Sequence, residues 1–332
     1  MADKYRILGA GEWGIAIGNH LARLGNKVEI FGREGEIFDK LKETRSFDKL
    51  NLSLHHNIIR IENLSTLKDF ENDCINILST SSSGFSNLVK NNQSYLKLFT
   101  SIVWLTKGID NQSGELFDKI ITKQIGSDKS MCLVSGPSFA IDLVNKKPQR
   151  VSIASTSNKL LSEIKNSMSS EHFEMVASDD LIGIQVSGII KNVSAIIAGA
   201  MSSIGFSKND ILALIKISQE EVKNLTKSIY IDRGFAVPSD EIDKTICSPS
   251  CLGDLELTCL SDKSRNRQFG FKFAEGIDIK DLLKEFVTVE GYVCTEILIR
   301  KYKTSNCKVI NAAYKIFYLK EDISKTIKRL LS

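Results

Sequence analysis

The 332-residue sequence lacks the features that mark several specialised classes of protein. It has no excess of charge, since 44 basic and 40 acidic residues leave a formal +4, too even a balance to argue for a nucleic-acid partner. It has no CxxC pair. Its cysteines, at 74, 132, 247, 251, 259, 294 and 307, are odd in number and sit in a chain too large to need disulfide staples, so reduced thiols in a cytoplasmic protein are expected. Cys247, Cys251 and Cys259 have no histidine near them and match no common zinc spacing, so no metal is expected. No basic region, apolar core and small-residue cleavage site open the chain, and the expectation is a protein that stays where it is made. The longest mainly apolar stretch, 183–206, is interrupted by Gln185, Lys191 and Asn192. A membrane span tolerates such residues poorly, so a buried helix with a polar patch is expected there, without stable membrane insertion. Repeats and low-complexity linkers are absent, and 42% hydrophobic with 25% charged residues gives no case for disorder.

What is present is a change of pattern along the chain. Single cores rarely grow beyond roughly 250 to 300 residues, so two domains are the default. In the first half, short apolar runs at 7–8, 28–31, 75–78, 102–105, 131–134 and 150–154 alternate with helical or irregular segments, which implies a mainly parallel sheet with helices on both faces. Residues 50–63 are compatible with a loop or a short strand. Beyond Asp179 the strand signal fades, and helical periodicity covers 181–201, 209–229, 279–288, 291–303, 308–319 and 323–331.

Near the N-terminus, Tyr5-Arg6-Ile7-Leu8 reads as a buried strand running into Gly9-Ala10-Gly11-Glu12-Trp13-Gly14, after which Ile15, Ala16, Ile17 and Leu21 keep helical spacing. This is GxGxxG in its strand-turn-helix context. Gly9 permits the tight turn, Gly11 lets the backbone approach a pyrophosphate, and Gly14 allows the helix to pack closely on the strand. The fold class is therefore α/β: an N-terminal Rossmann-type doubly wound sheet over residues 1–180, followed by an all-helical substrate domain over 181–332, with the cleft between them as the natural substrate site. After the second strand a carboxylate suits NAD, whereas an arginine suits a 2′-phosphate. The sequence there is Gly32-Arg33, with Glu34 and Glu36 close by. NADPH is expected, with NADH as the alternative; a solvated surface arginine is the other reading of Arg33.

Four further places carry chemistry-bearing groups. Lys191 lies in a helix otherwise fit for burial, and a buried ammonium needs an anionic partner and has a lowered pKa suited to proton transfer. The alternative is a lysine that snorkels or pairs with a structural carboxylate. Lys107 follows the fourth strand run, at the carboxyl edge of the sheet where ligands bind, or is a solvated loop lysine. Gly136 and Ser138 follow the next run and can hold an oxygen-rich ligand, or mark an ordinary Gly-Pro-Ser turn. Ser264-Arg265-Asn266-Arg267 offers donors suited to a phosphate, or is a solvated polar loop.

Seven blocks in order, GAGEWG at 9–14, LTKGI at 105–109, SGPSFA at 135–140, GIIKNV at 188–193, LGDLELTC at 252–259, SRNR at 264–267 and VEGY at 289–292, resemble the bacterial type of NAD(P)-dependent glycerol-3-phosphate dehydrogenase over nearly the whole chain. The resemblance implies reversible reduction of dihydroxyacetone phosphate to sn-glycerol 3-phosphate, supplying glycerophospholipid synthesis, in a cytoplasmic homodimer. It makes Lys191 the proton-transfer lysine, with Asn192 an orienting amide, Lys107 a second catalytic lysine, and Asp254 the group that orients Lys191 or a substrate hydroxyl. Gly136, Ser138, Asp254, Ser264, Arg265 and Asn266 match substrate-contacting positions, as do both lysines. Gly9, Gly11, Glu12, Trp13, Gly14, Arg33, Lys107, Ala140, Arg265, Thr288 and Glu290 match cofactor-contacting positions. Ser81-Ser82-Ser83 stands where the family has a proline-containing turn, Lys216-Ile217-Ser218 where it has threonine-arginine-glycine, and Ser250 and Cys251 replace smaller residues. A β-hydroxyacid dehydrogenase is the nearest enzymatic rival, against which residues 252–267 argue; a cofactor-binding sensor without turnover is the rival from another class.

Overall fold

The structure, a computed structural model, describes residues 4–32, 44–61, 74–286 and 288–332. Its strands in chain order are β1 (Lys4–Leu8), β2 (Lys27–Phe31), β3 (Ser46–Phe47), β4 (Leu52–Ser53), β5 (Ile58–Ile61), β6 (Cys74–Leu78), β7 (Ser101–Trp104), β8 (Ser130–Ser135), β9 (Gln149–Ser155) and β10 (Phe173–Ser178). Apart from the small β3–β4 pair, the described strands form one sheet in the order β10-β9-β8-β7-β6-β1-β2-β5. Pairing is parallel from β5 through β8, and β9 runs antiparallel to β8. Order departs from β1 in both directions, so its carboxyl end and that of β6 bound a topological switch point, where open α/β sheets hold ligands.

The expected Rossmann-type architecture is present, and two strands that the apolar runs did not reveal are both at its edges. β10 is one, with alternating burial along Phe-Glu-Met-Val-Ala-Ser; β5 is the other, with Ile58 buried and Ile59 exposed. Central strands of a parallel sheet are apolar on both faces and read as continuous runs, whereas an edge strand can leave one face to water and reads as alternation.

Residues Met1–Thr106 and Phe117–Ala177 cluster as one compact unit, and Lys107–Leu116 with Ser178–Ser332 as a second. The excursion of 107–116 out of the sheet unit is not anticipated by a cut at residue 180. It follows from burial, because Ile109 and Leu116 belong to the same apolar cluster as Ile182, Val186 and Ile189.

The second unit is built around the helix Leu181–Ser203, whose residues Ile182 to Met201 are all buried. Asp180 caps it, its carboxylate accepting from Gly183 N at 2.7 Å and from Tyr230 Oη at 3.0 Å. Among the described residues it is the one helix long and apolar enough to cross a membrane, and its burial inside the unit identifies it as a core helix. Two neighbours approach it backbone to backbone: a Cβ on Gly270 would lie 1.8 Å from Ile196 O, and one on Gly291 2.1 Å from Asn192 O. Polar side chains of the helices Arg265–Ala274 and Glu290–Lys301 thereby come within reach of Asn192. Three short helices, Ser239–Ile246, Asp254–Leu260 and Arg265–Ala274, were not legible from periodicity, being brief and rich in polar residues.

Candidate functional site

In the sheet unit the turn after β1 has the geometry its glycines suggest. Gly9 has φ +127, and a Cβ there would lie 2.0 Å from Ser79 O; a Cβ on Gly14 would lie 2.3 Å from Gly9 O. Around Gly11, by contrast, a Cβ would meet nothing within 4 Å. Gly11 is the N-cap of the helix Glu12–Arg23 and carries no side chain to cap it. First-turn N–H groups and open space together suit a phosphate, so these residues fit a dinucleotide. Glu12 is exposed and lies 3.8 Å from Lys49, while Trp13 packs edge-on against Phe173. Arg33 lies outside the described residues.

Ser81 forms the N-cap of the helix Ser82–Asn91, so a helix start stands where the resemblance led to a proline turn. Gly136 is held against β9, where a Cβ would lie 2.8 Å from Val151 Cα, and Ser138 Oγ donates to Gly136 O at 3.1 Å. Ala140 opens the short helix Ala140–Val144.

The helical unit contains a tight group of charges. Lys107 Nζ donates to Asp254 Oδ2 at 2.7 Å, and Lys191 Nζ donates to Oδ1 of the same carboxylate at 3.0 Å. Thr258 Oγ1 lies 3.5 Å from Lys191 Nζ and 3.4 Å from Asp254 Oδ1. The Asp254 side chain is 1% exposed, that of Lys191 11% and that of Lys107 18%. Lys191 thus pairs with a carboxylate inside the protein and does not snorkel.

Local sequence explains the placement. Pro249–Gly253 forms one wide π-type turn that runs directly into the helix Asp254–Leu260 and sets Asp254 at its first turn. Such turns often mark functional sites. On the central helix, Gly188 leaves room beside Lys107, whose Cβ would lie 3.5 Å from a Cβ at that glycine. Ser250 and Cys251 are fully buried.

Burial lowers the Lys107 ammonium to about 8; Asp254 pulls it up, and Lys191 pushes it further down. Asp254 is held below the usual carboxylate range: burial alone raises it, but Lys107 and Lys191 outweigh that. Two ammonium groups therefore share one ionised carboxylate, which leaves the group with a positive surplus. Such a surplus suits an anion or a developing negative charge.

A chain of amides adjoins this group. Gly291 N donates to Asn266 Oδ1 at 2.8 Å, Asn266 Nδ2 donates to Asn192 Oδ1 at 3.0 Å, and Asn192 Nδ2 donates to Glu290 Oε2 at 2.9 Å. The backbone N–H can only donate, so it fixes the orientation of both amides. Asn266, expected as a phosphate ligand, has its carbonyl oxygen occupied by this chain. The two arginines nearby differ. Arg267 is tied to Asp262 and to Ser202 Oγ, whereas Arg265 is exposed, at the first position of the helix Arg265–Ala274. Ser264 Oγ caps that helix by accepting from Arg267 N at 3.3 Å. Thr288 is half-buried two residues ahead of Glu290.

Comparison with known proteins gives a consistent result over the chain. The family model described as NAD-dependent glycerol-3-phosphate dehydrogenase N-terminus matches residues 4–161, and that described as the C-terminus matches 180–328. The chain is 32% identical to glycerol-3-phosphate dehydrogenase [NAD(P)+] of Francisella tularensis subsp. novicida, covering 100% of this chain and 98% of the relative. It is 29% identical to the enzyme of that name from Colwellia psychrerythraea, with the same coverage. Glycerol-3-phosphate dehydrogenase from Coxiella burnetii shares the fold, with a TM-score of 0.85 at 24% identity over 100% of this chain and 99% of that one. With a relative this similar along its full length, the chain belongs to the NAD-dependent glycerol-3-phosphate dehydrogenase family.

Proposed function

We propose that the protein reduces dihydroxyacetone phosphate to sn-glycerol 3-phosphate, reversibly, with NADPH as the preferred cofactor and NADH as the alternative. The observation that carries this reading is the surplus positive charge formed by Lys107, Lys191 and Asp254. In this reading residues 1–180 hold the dinucleotide, residues 181–332 hold the substrate, and Lys107 joins the second group through the 107–116 excursion.

The first turn of the helix Glu12–Arg23 would hold the phosphates of the cofactor, with Gly9, Gly11 and Gly14 giving the backbone access and Glu12, Trp13, Ala140, Thr288 and Glu290 as further contacts. Arg33 reads the 2′-phosphate. The chemistry a reduced nicotinamide would supply when bound there is hydride for C2 of the ketone. Lys191 gives its Nζ proton to the oxygen that becomes the alkoxide, the C2–O double bond becomes a single bond, and Lys191 is left neutral until solvent reprotonates it. Lys107 stabilises the same oxygen electrostatically, and Asn192, its amide committed to Gly188 O, Glu290 Oε2 and Asn266, orients the site through those bonds. Asp254 aims both ammonium groups. Arg265 holds the substrate phosphate as an exposed guanidinium, aided by Ser264 and Asn266, with Gly136 and Ser138 as further substrate contacts.

The setting that goes with this proposal is cytoplasmic supply of glycerol phosphate for glycerophospholipids, by a homodimer with no nucleic-acid partner. Sedimentation at working concentration tests the dimer. The activity is tested by loss of reduced-nicotinamide absorbance with dihydroxyacetone phosphate, run beside NADH and beside unphosphorylated dihydroxyacetone. Turnover that requires the phosphate supports the reading; cofactor binding without turnover turns it towards a sensor.

A further inference from the structure

The chain has four histidines, and none lies in the helical unit. Three of them, His20, His55 and His172, line one groove of about 580 Å³ in the sheet unit, and the fourth, His56, packs on His55 with ring centroids 4.1 Å apart. The groove follows the C-terminal half of the helix Glu12–Arg23, the opposite end from Gly11. It is therefore separate from the phosphate-facing turn.

The histidines come from three separate places in the chain, and two of the rings are anchored by hydrogen bonds of their own. His20 Nε2 lies 2.8 Å from Met168 O, which can only accept, so that nitrogen carries a proton. His55 Nδ1 accepts from Asn57 N at 3.3 Å, which leaves Nε2 as its donor, and His55 N donates to Asn19 Oδ1 at 2.9 Å. His172 is held through its backbone, its carbonyl accepting from Gln149 N at 2.9 Å.

Two permanent cations complete the wall. Arg23 makes one long bond, 3.4 Å to Val144 O. Lys146 is exposed at φ 55, a left-handed conformation uncommon for lysine. Helix C-termini favour cations at these places, yet they do not account for three imidazoles beside them. Among the described residues, Arg45, His56 and Glu171 are further charged or titratable neighbours. Arg45 donates to His55 O at 2.8 Å, and Glu171, the one carboxylate among the described residues of the lining, is 3.9 Å from His172 Nε2. His20 and His55 are both shifted down, by burial first; Arg23 lowers both, and His56 and Arg45 lower His55 further. Donors and positive potential thus converge on one groove.

We propose that this groove binds a phosphomonoester or inorganic phosphate through Arg23, Lys146 and the three imidazoles, as a second anion site apart from Arg265. Binding favours imidazolium at His20, whose Nε2 proton is held by Met168 O, while His55 donates from Nε2 as a neutral ring, so affinity increases as pH falls through the histidine range.

Because no histidine lies elsewhere, the ring resonances of full-length protein labelled at histidine report this groove directly. Titration with inorganic phosphate and with glycerol 2-phosphate is expected to shift the His20, His55 and His172 signals saturably and to raise the pKa of His20. The Arg23→Ala/Lys146→Ala double variant is expected to weaken binding by about tenfold or more, as loss of charge-assisted contacts should, with turnover retained. A short-chain phosphatidate below its micelle concentration distinguishes the source: tighter binding than glycerol 2-phosphate assigns a lipid headgroup, weaker binding a free phosphate ester. Absence of saturable shifts in the wild type, or equal affinity in the double variant, overturns the proposal.

Discussion

Arg6 and Lys107 are both cations set against a carboxylate inside the protein, and burial opposes the charge of both, but the net result is opposite. Arg6, 3% exposed, faces Glu29, with its Nε 2.7 Å from Oε2, and also donates to Tyr95 Oη, which in turn donates to Asn76 Oδ1 at 3.0 Å. Burial opposes its charge, but Cys74, Tyr95 and Glu29 outweigh that and its pKa is raised. Lys4 also reaches Glu29, at 3.4 Å, but is 25% exposed and shares its charge with water. At Lys107 burial wins, and the pKa falls to about 8. The first cluster spreads its charge over Glu29, Tyr95 and Asn76 and holds strands β1 and β2 in register; the second sets two ammonium groups on one carboxylate, at a place where an anionic substrate would add further negative charge. Whether the neighbours outweigh burial, and not burial by itself, separates the functional cluster from the structural one.

The largest effect is expected from Asp254→Asn, which leaves two ammonium groups without their shared counter-charge. Stability should fall by about 3 to 5 kcal/mol and turnover should be lost, as measured by denaturant unfolding and cofactor oxidation. Stability within about 1 kcal/mol of wild type would erase the distinction between the clusters.

Glu29→Gln sharpens the comparison from the other side. Removing the carboxylate from Arg6 should cost about 2 to 3 kcal/mol of stability, while kcat changes by less than about twofold. A large drop in kcat, with the unfolding midpoint unchanged, would make the sheet cluster functional as well.

The smallest effect is a pH dependence. With a folded pKa near 8 against an ordinary 10.5, Lys107 binds fewer protons folded than unfolded between those values. Its own contribution to stability therefore rises with pH across that window. Capture of the anionic substrate goes the other way, since kcat/KM needs the ammonium and should fall as pH rises through about 8. Lys107→Arg keeps the charge and should flatten that fall. A wild-type profile that stays flat through this range contradicts the role.

Legibility in the sequence follows the range of the interactions. The turn at Gly9 to Gly14 could be read because all its determinants lie within one strand-turn-helix unit. Lys107, Lys191 and Asp254 could be singled out as separate candidates, but that one carboxylate serves both lysines depends on residues 63 and 147 positions apart. The amide chain was hidden for the same reason: Asn266 reads as a free phosphate donor until Gly291 brings its helix against Asn192. The histidine groove gathers residues 20, 55 and 172, which no local pattern connects. Edge strand β10 escaped because alternation is a weaker signal than an apolar run, whereas β5 falls within 50–63, where a short strand was one of the two readings.

The central claim is tested most directly by Lys191→Met, measured for turnover and unfolding in the same preparation. Removing one of two cations that share a single carboxylate should lower turnover by about a hundredfold or more, leave cofactor binding intact, and leave stability unchanged or raised. Near wild-type turnover, or a stability loss like that expected for Glu29→Gln, would contradict the account.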